Sequence, residues 1–211
     1  MKIGIYGGSF NPPHLGHLAA AESAARYLEL DRLMLIPAGI PPHKQLSADA
    51  PAPVHRLAMT RLMGAQLELD TLIPVEVSDM ELTREGKSYT SDTLRLLHER
   101  YPDAELWLLM GTDMFLTFHL WHAPEEIVRH AGLCAFGRTE RDGEEVFAPQ
   151  RAFLGEKFPD CRIVTMTLPN LVEISSTELR AGMVSGESEK MLAPQVYGYI
   201  LREHVYGTNL D

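Results

Sequence analysis

Apolar positions along the chain fall into short runs closed by glycine or proline, and these alternate with stretches at helical spacing. Residues 2–6 form an apolar run ended by Gly7-Gly8, and from His14 to Leu28 the pattern turns helical, rich in Ala, Leu and Glu. A buried strand over 32–36 follows, stopped by Pro37 and a Pro/Gly loop reaching to about Pro53, which closes a first βαβ unit. Helical spacing returns over 54–67, strand character around 71–77, and Ser91 or Asp92 is the expected cap of a helix ending before Pro102. Residues 105–110 read as a strand closed by Gly111, residues 124–130 as a helix, and 133–136 and 162–166 as further strands. The acidic run 140–145 reads as a solvated surface segment. The alternation predicts an α/β fold, a doubly wound and mainly parallel sheet whose ligands bind at the carboxyl ends of the strands. A chain of 211 residues fits one domain over 1–211, with a small helical C-terminal part from about 174 packed on it.

Composition narrows the chemistry. With 45% apolar and 23% charged residues the chain can bury a sizeable core. The formal net charge of -10 disfavours a sequence-independent nucleic-acid binder, so an anionic ligand must be gripped locally. The charge is uneven: residues 1–61 hold six Lys/Arg against four Asp/Glu, leaving 13 against 25 for the remainder. Two cysteines, Cys134 and Cys161, make no disulfide framework, and the start lacks an apolar stretch behind a charged leader, so a reduced, cytoplasmic protein is expected. No apolar run approaches the roughly 20 residues that cross a bilayer, so no membrane role is expected.

The stretch between the first strand and first helix is Gly7-Gly8-Ser9-Phe10-Asn11-Pro12-Pro13-His14-Leu15-Gly16-His17. It is neither a Walker loop nor a GxGxxG fingerprint. Two adjacent glycines admit a ligand to the backbone, and a helix start offers free N–H groups and a positive dipole end, so phosphate is the natural guest. His14 and His17, three apart, share one face of the first turn and suit a phosphoryl group as its charge develops. A His-x-x-His pair also suits zinc, but no Cys or further His lies nearby at ligand spacing, and no metal site is assigned.

This stretch resembles the HxGH signature of the nucleotidyltransferase superfamily, which joins a phosphate ester to a nucleoside triphosphate with loss of pyrophosphate. Its usual companion is matched by Ile174-Ser175-Ser176-Thr177-Glu178-Leu179-Arg180, where hydroxyls, helix-start N–H groups and a planar cationic fork make a second anion site. Along nearly its full length the chain resembles the bacterial nicotinate-nucleotide adenylyltransferase family. Four further segments carry that resemblance. Ile36-Pro37-Ala38-Gly39-Ile40-Pro41-Pro42-His43-Lys44 resembles the loop whose His and Lys approach phosphates, and Ser88-Tyr89-Thr90-Ser91-Asp92-Thr93 the segment that recognises the pyridine ring. Gly111-Thr112-Asp113 resembles the ribose and ATP contact, and Trp121 the aromatic that stacks on nicotinate. Arg138 resembles an arginine near the triphosphate, and residues 194–200 the terminal helix. One departure stands out: Gly182 occupies a position where many relatives carry a second basic residue.

The resemblance implies a Rossmann-like nucleotidyltransferase fold and adenylyl transfer from ATP to nicotinate mononucleotide, giving nicotinate adenine dinucleotide and pyrophosphate in NAD biosynthesis. It implies a chemical role for His14, His17, Lys44 and Arg180. ATP is expected against Gly7, Gly8, Ser9, Phe10, His17, Gly111, Asp113, Arg138, Ile174, Ser175, Ser176 and Arg180. The acceptor is expected against Ser9, Phe10, His43, Lys44, Thr90 and Trp121. Mg²⁺ is expected to arrive with ATP, held mostly by phosphate and water. Other acceptors within the superfamily (nicotinamide mononucleotide, phosphopantetheine) and a nucleotide-binding regulator without chemistry are the alternatives. His14-Leu15-Gly16-His17 also resembles the HIGH motif of class I aminoacyl-tRNA synthetases, but the acidic balance and the absence of a tRNA-binding extension oppose that. Whether the chain forms a homo-oligomer is left open.

Overall fold

Alternation within the strands decides the layering. The computed structural model describes residues 1–42, 50–137, 139, 141–168, 174 and 176–208. Strand β1 (Lys2–Gly8) turns Ile3 and Ile5 to one face of the sheet and Tyr6 to the other, and β2 (Arg32–Pro37) does the same with Met34 and Ile36 against Leu33 and Leu35. Both faces are therefore buried, as a parallel sheet requires. Strands β3 (Val75–Val77), β4 (Glu105–Gly111), β5 (Ala131–Gly137) and β6 (Ile163–Thr167) complete a six-stranded sheet of order β3-β2-β1-β4-β5-β6. Every pairing is parallel, so the expectation of a mainly parallel sheet sharpens to a wholly parallel one among the described residues.

Helices cover both faces. The alanine-rich side of α1 (Leu15–Leu28) and Met63 and Leu67 of α2 (Pro53–Thr71) pack on Tyr6, Leu33, Leu35 and Leu109. Small residues let α1 approach the sheet closely. The opposite face carries α3 (Thr90–Arg100), the short α4 (Thr112–Leu116), α5 (Pro124–His130) and α6 (Glu144–Lys157) through Leu94, Leu97, Phe115, Ile127, Phe147 and Leu154. A third apolar cluster joins Met59 of α2 to Leu179 of α7 (Ser176–Ala181), to Val196 and Ile200 of α8 (Pro194–Arg202), and to Met183 and Val205. No helix among the described residues is long and apolar enough to cross a membrane.

Three expectations need correction, and one is borne out with an addition. Helix α3 begins at Thr90 with Tyr89 as its N-cap, not at Ser91 or Asp92. Around 71–77 only Val75–Val77 is strand, because α2 runs on to Thr71. Glu144 and Glu145 are exposed, as expected of a solvated segment, and form the first turn of α6, where their charge suits the positive end of the helix. Gly7 and Gly8 lie within β1, paired to Ile36 and Pro37, rather than after it.

Candidate active site

The sheet order places β1 beside β4, where chain progression reverses direction, and the carboxyl ends of strands at such a switch point are where open α/β sheets bind ligands. Gly7 and Gly8 end β1 there, and Gly111 ends β4. A Cβ on Gly7 would meet nothing within 4 Å, so that side of the backbone is open. Beyond Gly8 the chain turns sharply: Phe10 has φ 43°, Asn11-Pro12 is cis, and Phe10 through His14 are buried. The Phe10 ring packs edge-on to Tyr6 at 5.8 Å between centroids, so Phe10 has only its main chain to offer a ligand. Tyr6 in turn meets Phe136 edge-on at 5.7 Å, tying the loop to β5.

His14 is the N-cap of α1, and His17 sits three residues on. Their rings stack with centroids 3.7 Å apart. The His14 main-chain N–H donates to His17 Nδ1 at 3.2 Å. An Nδ1 occupied as acceptor leaves the proton of the neutral imidazole on Nε2, so His17 presents an N–H donor on its far side. Phe10 packs against the same ring at 5.2 Å and restricts its swing.

The second motif comes to the same place. Arg180 on α7 donates from Nη1 to the main-chain carbonyl of Asn11 at 3.1 Å and to that of Ser176 at 3.0 Å. The hydroxyl of Tyr206 donates to Asn11 Oδ1 at 2.7 Å. Ser176 opens α7, Ile174 is half-buried beside the third apolar cluster, and Ser175 lies outside the described residues. At Gly182 a Cβ would approach Ser188 Oγ to 2.9 Å, and that hydroxyl is buried, donating to the Leu179 carbonyl. No basic side chain fits without dislodging Ser188.

A neighbouring network joins two more segments. Gly39 donates its N–H to Ser88 Oγ at 3.2 Å, and Ser88 donates its own N–H to the Ile40 carbonyl at 2.9 Å. A Cβ on Gly39 would fall on the Glu81 carbonyl oxygen, so this close approach demands glycine. Below it, Thr93 Oγ1 donates to the buried Glu81 carboxyl at 2.6 Å, and Arg84 reaches Thr93 Oγ1 and the Tyr89 carbonyl. Burial pushes the Glu81 carboxyl above the ordinary carboxylate value, with the Thr93 bond and the Arg84 charge pulling the other way. Tyr89 stacks on His122 with centroids 4.1 Å apart, which brings Thr90 and the Trp121 segment together. Trp121 is half-buried against Phe118, at 5.5 Å between centroids. His119 goes elsewhere, to Gln150 and Phe153 of α6.

Asp113 is exposed on the first turn of α4, directly after Gly111, and Thr112 is anchored to the Phe136 carbonyl at 3.3 Å. His43, Lys44, Arg138 and Ser175, the expected phosphate contacts, lie outside the described residues. Among the described residues no group of three or more His, Cys, Asp or Glu side chains is arranged to hold a metal ion. Two residues at the site carry no motif signal: Tyr206, and Arg56 on α2, which is wholly buried and donates to the Ser9 carbonyl at 2.9 Å. A buried arginine at the start of an amphipathic helix looks in sequence like any exposed one.

Comparison with known proteins finds relatives over nearly the whole chain. The model of the cytidylyltransferase-like family matches residues 5–182, from within β1 to just past α7. The chain is 35% identical over 209 residues to a probable nicotinate-nucleotide adenylyltransferase of Exiguobacterium sibiricum, covering 99% of this chain and 100% of that one. A relative of the same description from Neisseria meningitidis is 34% identical over 206 residues, covering 96% of each chain. Among solved structures, Plasmodium falciparum nicotinic acid mononucleotide adenylyltransferase complexed with NaAD superposes with a TM-score of 0.77 at 20% identity, over 100% of this chain and 99% of that one. The same protein complexed with APC gives 0.76 at 19% identity, with the same coverage. At those identities the structural likeness bears on the fold alone.

Proposed function

Because the chain belongs to the cytidylyltransferase-like family and, by 35% identity over its full length, to the nicotinate-nucleotide adenylyltransferases, we infer that it transfers the adenylyl group of ATP to nicotinate mononucleotide. The products are nicotinate adenine dinucleotide and pyrophosphate, a step of NAD biosynthesis. The observation that carries the reading is the bond from Arg180 to the Asn11 carbonyl, which unites two motifs 169 residues apart at the sheet's switch point.

The acceptor's phosphate is a nucleophile at neutral pH, so no general base is needed and no covalent enzyme intermediate forms. The protein positions the two substrates and neutralises charge. We assign His17 Nε2–H as the donor to the α-phosphoryl oxygens as charge builds, with His14 stacked beside it. Gly7, Gly8, Ser9 and the Phe10 main chain face the triphosphate in this reading, with Ile174, Ser175, Ser176, Arg138 and Arg180 toward its pyrophosphate end. Gly111 and Asp113 meet the adenosine ribose, whose hydroxyls Asp113 accepts. Lys44 and His43 hold the acceptor phosphate, and Thr90 and Trp121 its pyridine ring. ATP is taken as its Mg²⁺ complex, the ion held by phosphate oxygens and water. A cytoplasmic location belongs to the same proposal and is supported by two free thiols, Cys134 and Cys161.

The test is pyrophosphate release from ATP and Mg²⁺ with each pyridine mononucleotide in turn. The expected result is turnover with a higher kcat/KM for nicotinate than for nicotinamide mononucleotide, abolished by chelating Mg²⁺ and restored by adding it back. A nicotinamide preference overturns the acceptor, and binding without release overturns the enzyme.

A further inference from the structure

Arg56 belongs to none of the motifs above, yet its side chain is entirely removed from solvent. It lies in the first turn of α2, where Nη1 donates to the Ser9 carbonyl at 2.9 Å. Among the described residues its Nε and Nη2 have no hydrogen-bond partner, although both are buried. Burial lowers its pKa, with the nearby Tyr206 hydroxyl acting in the opposite sense, but a guanidinium starts so high that it stays cationic.

A buried cation with two unmatched donors is costly, and an apolar side chain of similar length generally serves a core at least as well. Stability alone therefore does not account for it. Its one described acceptor lies in the loop that runs from the glycines to His14. A loop that binds anions must keep its carbonyl oxygens turned away from them, since a C=O dipole aimed at a phosphate repels it. Arg56 holds the Ser9 carbonyl on the protein side. Arg180 does the same for the Asn11 carbonyl, and Tyr206 holds the Asn11 side chain. Three elements far apart in sequence thus restrain one loop from behind. The Arg56 charge also sits in a low-dielectric interior one peptide away from Gly8, where its field is weakly screened.

We propose that Arg56 is a positioning residue for adenylyl transfer: it fixes the Ser9–His14 loop in its anion-accepting conformation and adds positive potential behind the phosphates without touching substrate. The inference rests on the adenylyltransferase reading. It is tested with Arg56→Met, which keeps length and removes charge, and Arg56→Lys, which keeps charge and removes the fork. Forward turnover, the reverse reaction from nicotinate adenine dinucleotide and pyrophosphate, and thermal melting are followed for both. The Met variant is expected to melt near the wild type, with kcat down about 10- to 100-fold, KM for nicotinate mononucleotide little changed, and KM for pyrophosphate raised. The Lys variant should recover part of the loss. Wild-type kcat and pyrophosphate KM in the Met variant overturn the proposal, as does a loss of activity that only follows a lowered melting temperature. If the Met variant does not fold, the Lys variant decides: reduced kcat at unchanged melting supports the role, and wild-type kinetics with lowered melting removes it. A wild-type protein that releases no pyrophosphate with any mononucleotide refutes the function itself. Calorimetric binding of inorganic pyrophosphate to wild type and Met variant would then still decide whether Arg56 acts at the anion site, equal affinities counting against it.

Discussion

The role proposed for His17 rests on a main-chain atom. Because Nδ1 accepts the His14 N–H, the ring cannot turn over without losing that bond, and the proton of the neutral ring stays on Nε2. His17→Ala removes the donor together with its ring contacts to His14 and Phe10, and leaves the packing of Phe10 on Tyr6 in place. Turnover at saturating ATP is expected to fall by roughly 10²–10⁴-fold, with the melting temperature little changed, as for loss of a transition-state donor or acid–base group. Near-normal turnover would remove His17 from the reaction. The cysteines illustrate the opposite case. Burial pushes the Cys134 thiol up to about 12 and that of Cys161 to about 11, the latter against the Arg162 charge. Nucleophilic thiols need the thiolate, so both are chemically quiet. Ellman's reagent at pH 8 is expected to leave Cys134 unmodified in the folded protein, to react with Cys161 slowly, and to leave turnover intact. Rapid inactivation by one equivalent would contradict this.

At the scale of elements, the Glu81–Thr93–Ser88 network sets the start of α3 against the turn at Gly39. Since burial raises the Glu81 pKa on folding, the folded chain retains a proton that the unfolded chain has already lost above about pH 4.3. The resulting stability is full below the unfolded pKa and is lost as pH rises through the folded one. Glu81→Gln does not titrate. Its melting temperature should therefore gain on that of the wild type as pH is raised from 4 to neutrality, and a difference independent of pH would refute the assignment. The elements that sequence made legible are those with strong local signals: β1 and its glycines, α1 with its His pair, and the apolar run of β4. Helix α6 was not legible because Pro149 interrupts it and only Phe147 and Leu154 are fully buried, too sparse a stripe to register as helical periodicity. The α3 cap was misplaced because Ser and Asp are stronger intrinsic caps than Tyr89, whereas here the Ser88 and Glu81 contacts fix the entry of the chain. Motif residues of the site could be named because their chemistry is local. Arg56 and Tyr206 could not, since each acts through a contact that exists only once distant segments are packed.

Across the whole molecule, the long-range bonds bear on how an acidic chain would hold the anions proposed for it. The net charge is -10, yet the segment 1–61, with its slight excess of basic residues, supplies the glycines, His14, His17 and Arg56. The acidic remainder reaches this segment through Arg180 and Tyr206, carried on the C-terminal cluster that packs Leu179, Val196, Ile200 and Val205 on Met59. That packing makes the C-terminal part a determinant of loop geometry and not only a cover for α2. Tyr206 isolates the effect, because its hydroxyl joins Asn11 across 195 residues while its ring packs against the same cluster. Tyr206→Phe keeps the ring and removes the bond. A net hydrogen bond contributes about 0.5–1.5 kcal/mol, so if the loop must be held for phosphoryl transfer, kcat should fall by roughly 2- to 12-fold. A role confined to stability would lower the melting temperature and leave kcat, measured well below it, unchanged. The two outcomes separate a C-terminal part that shapes the site from one that only covers a helix.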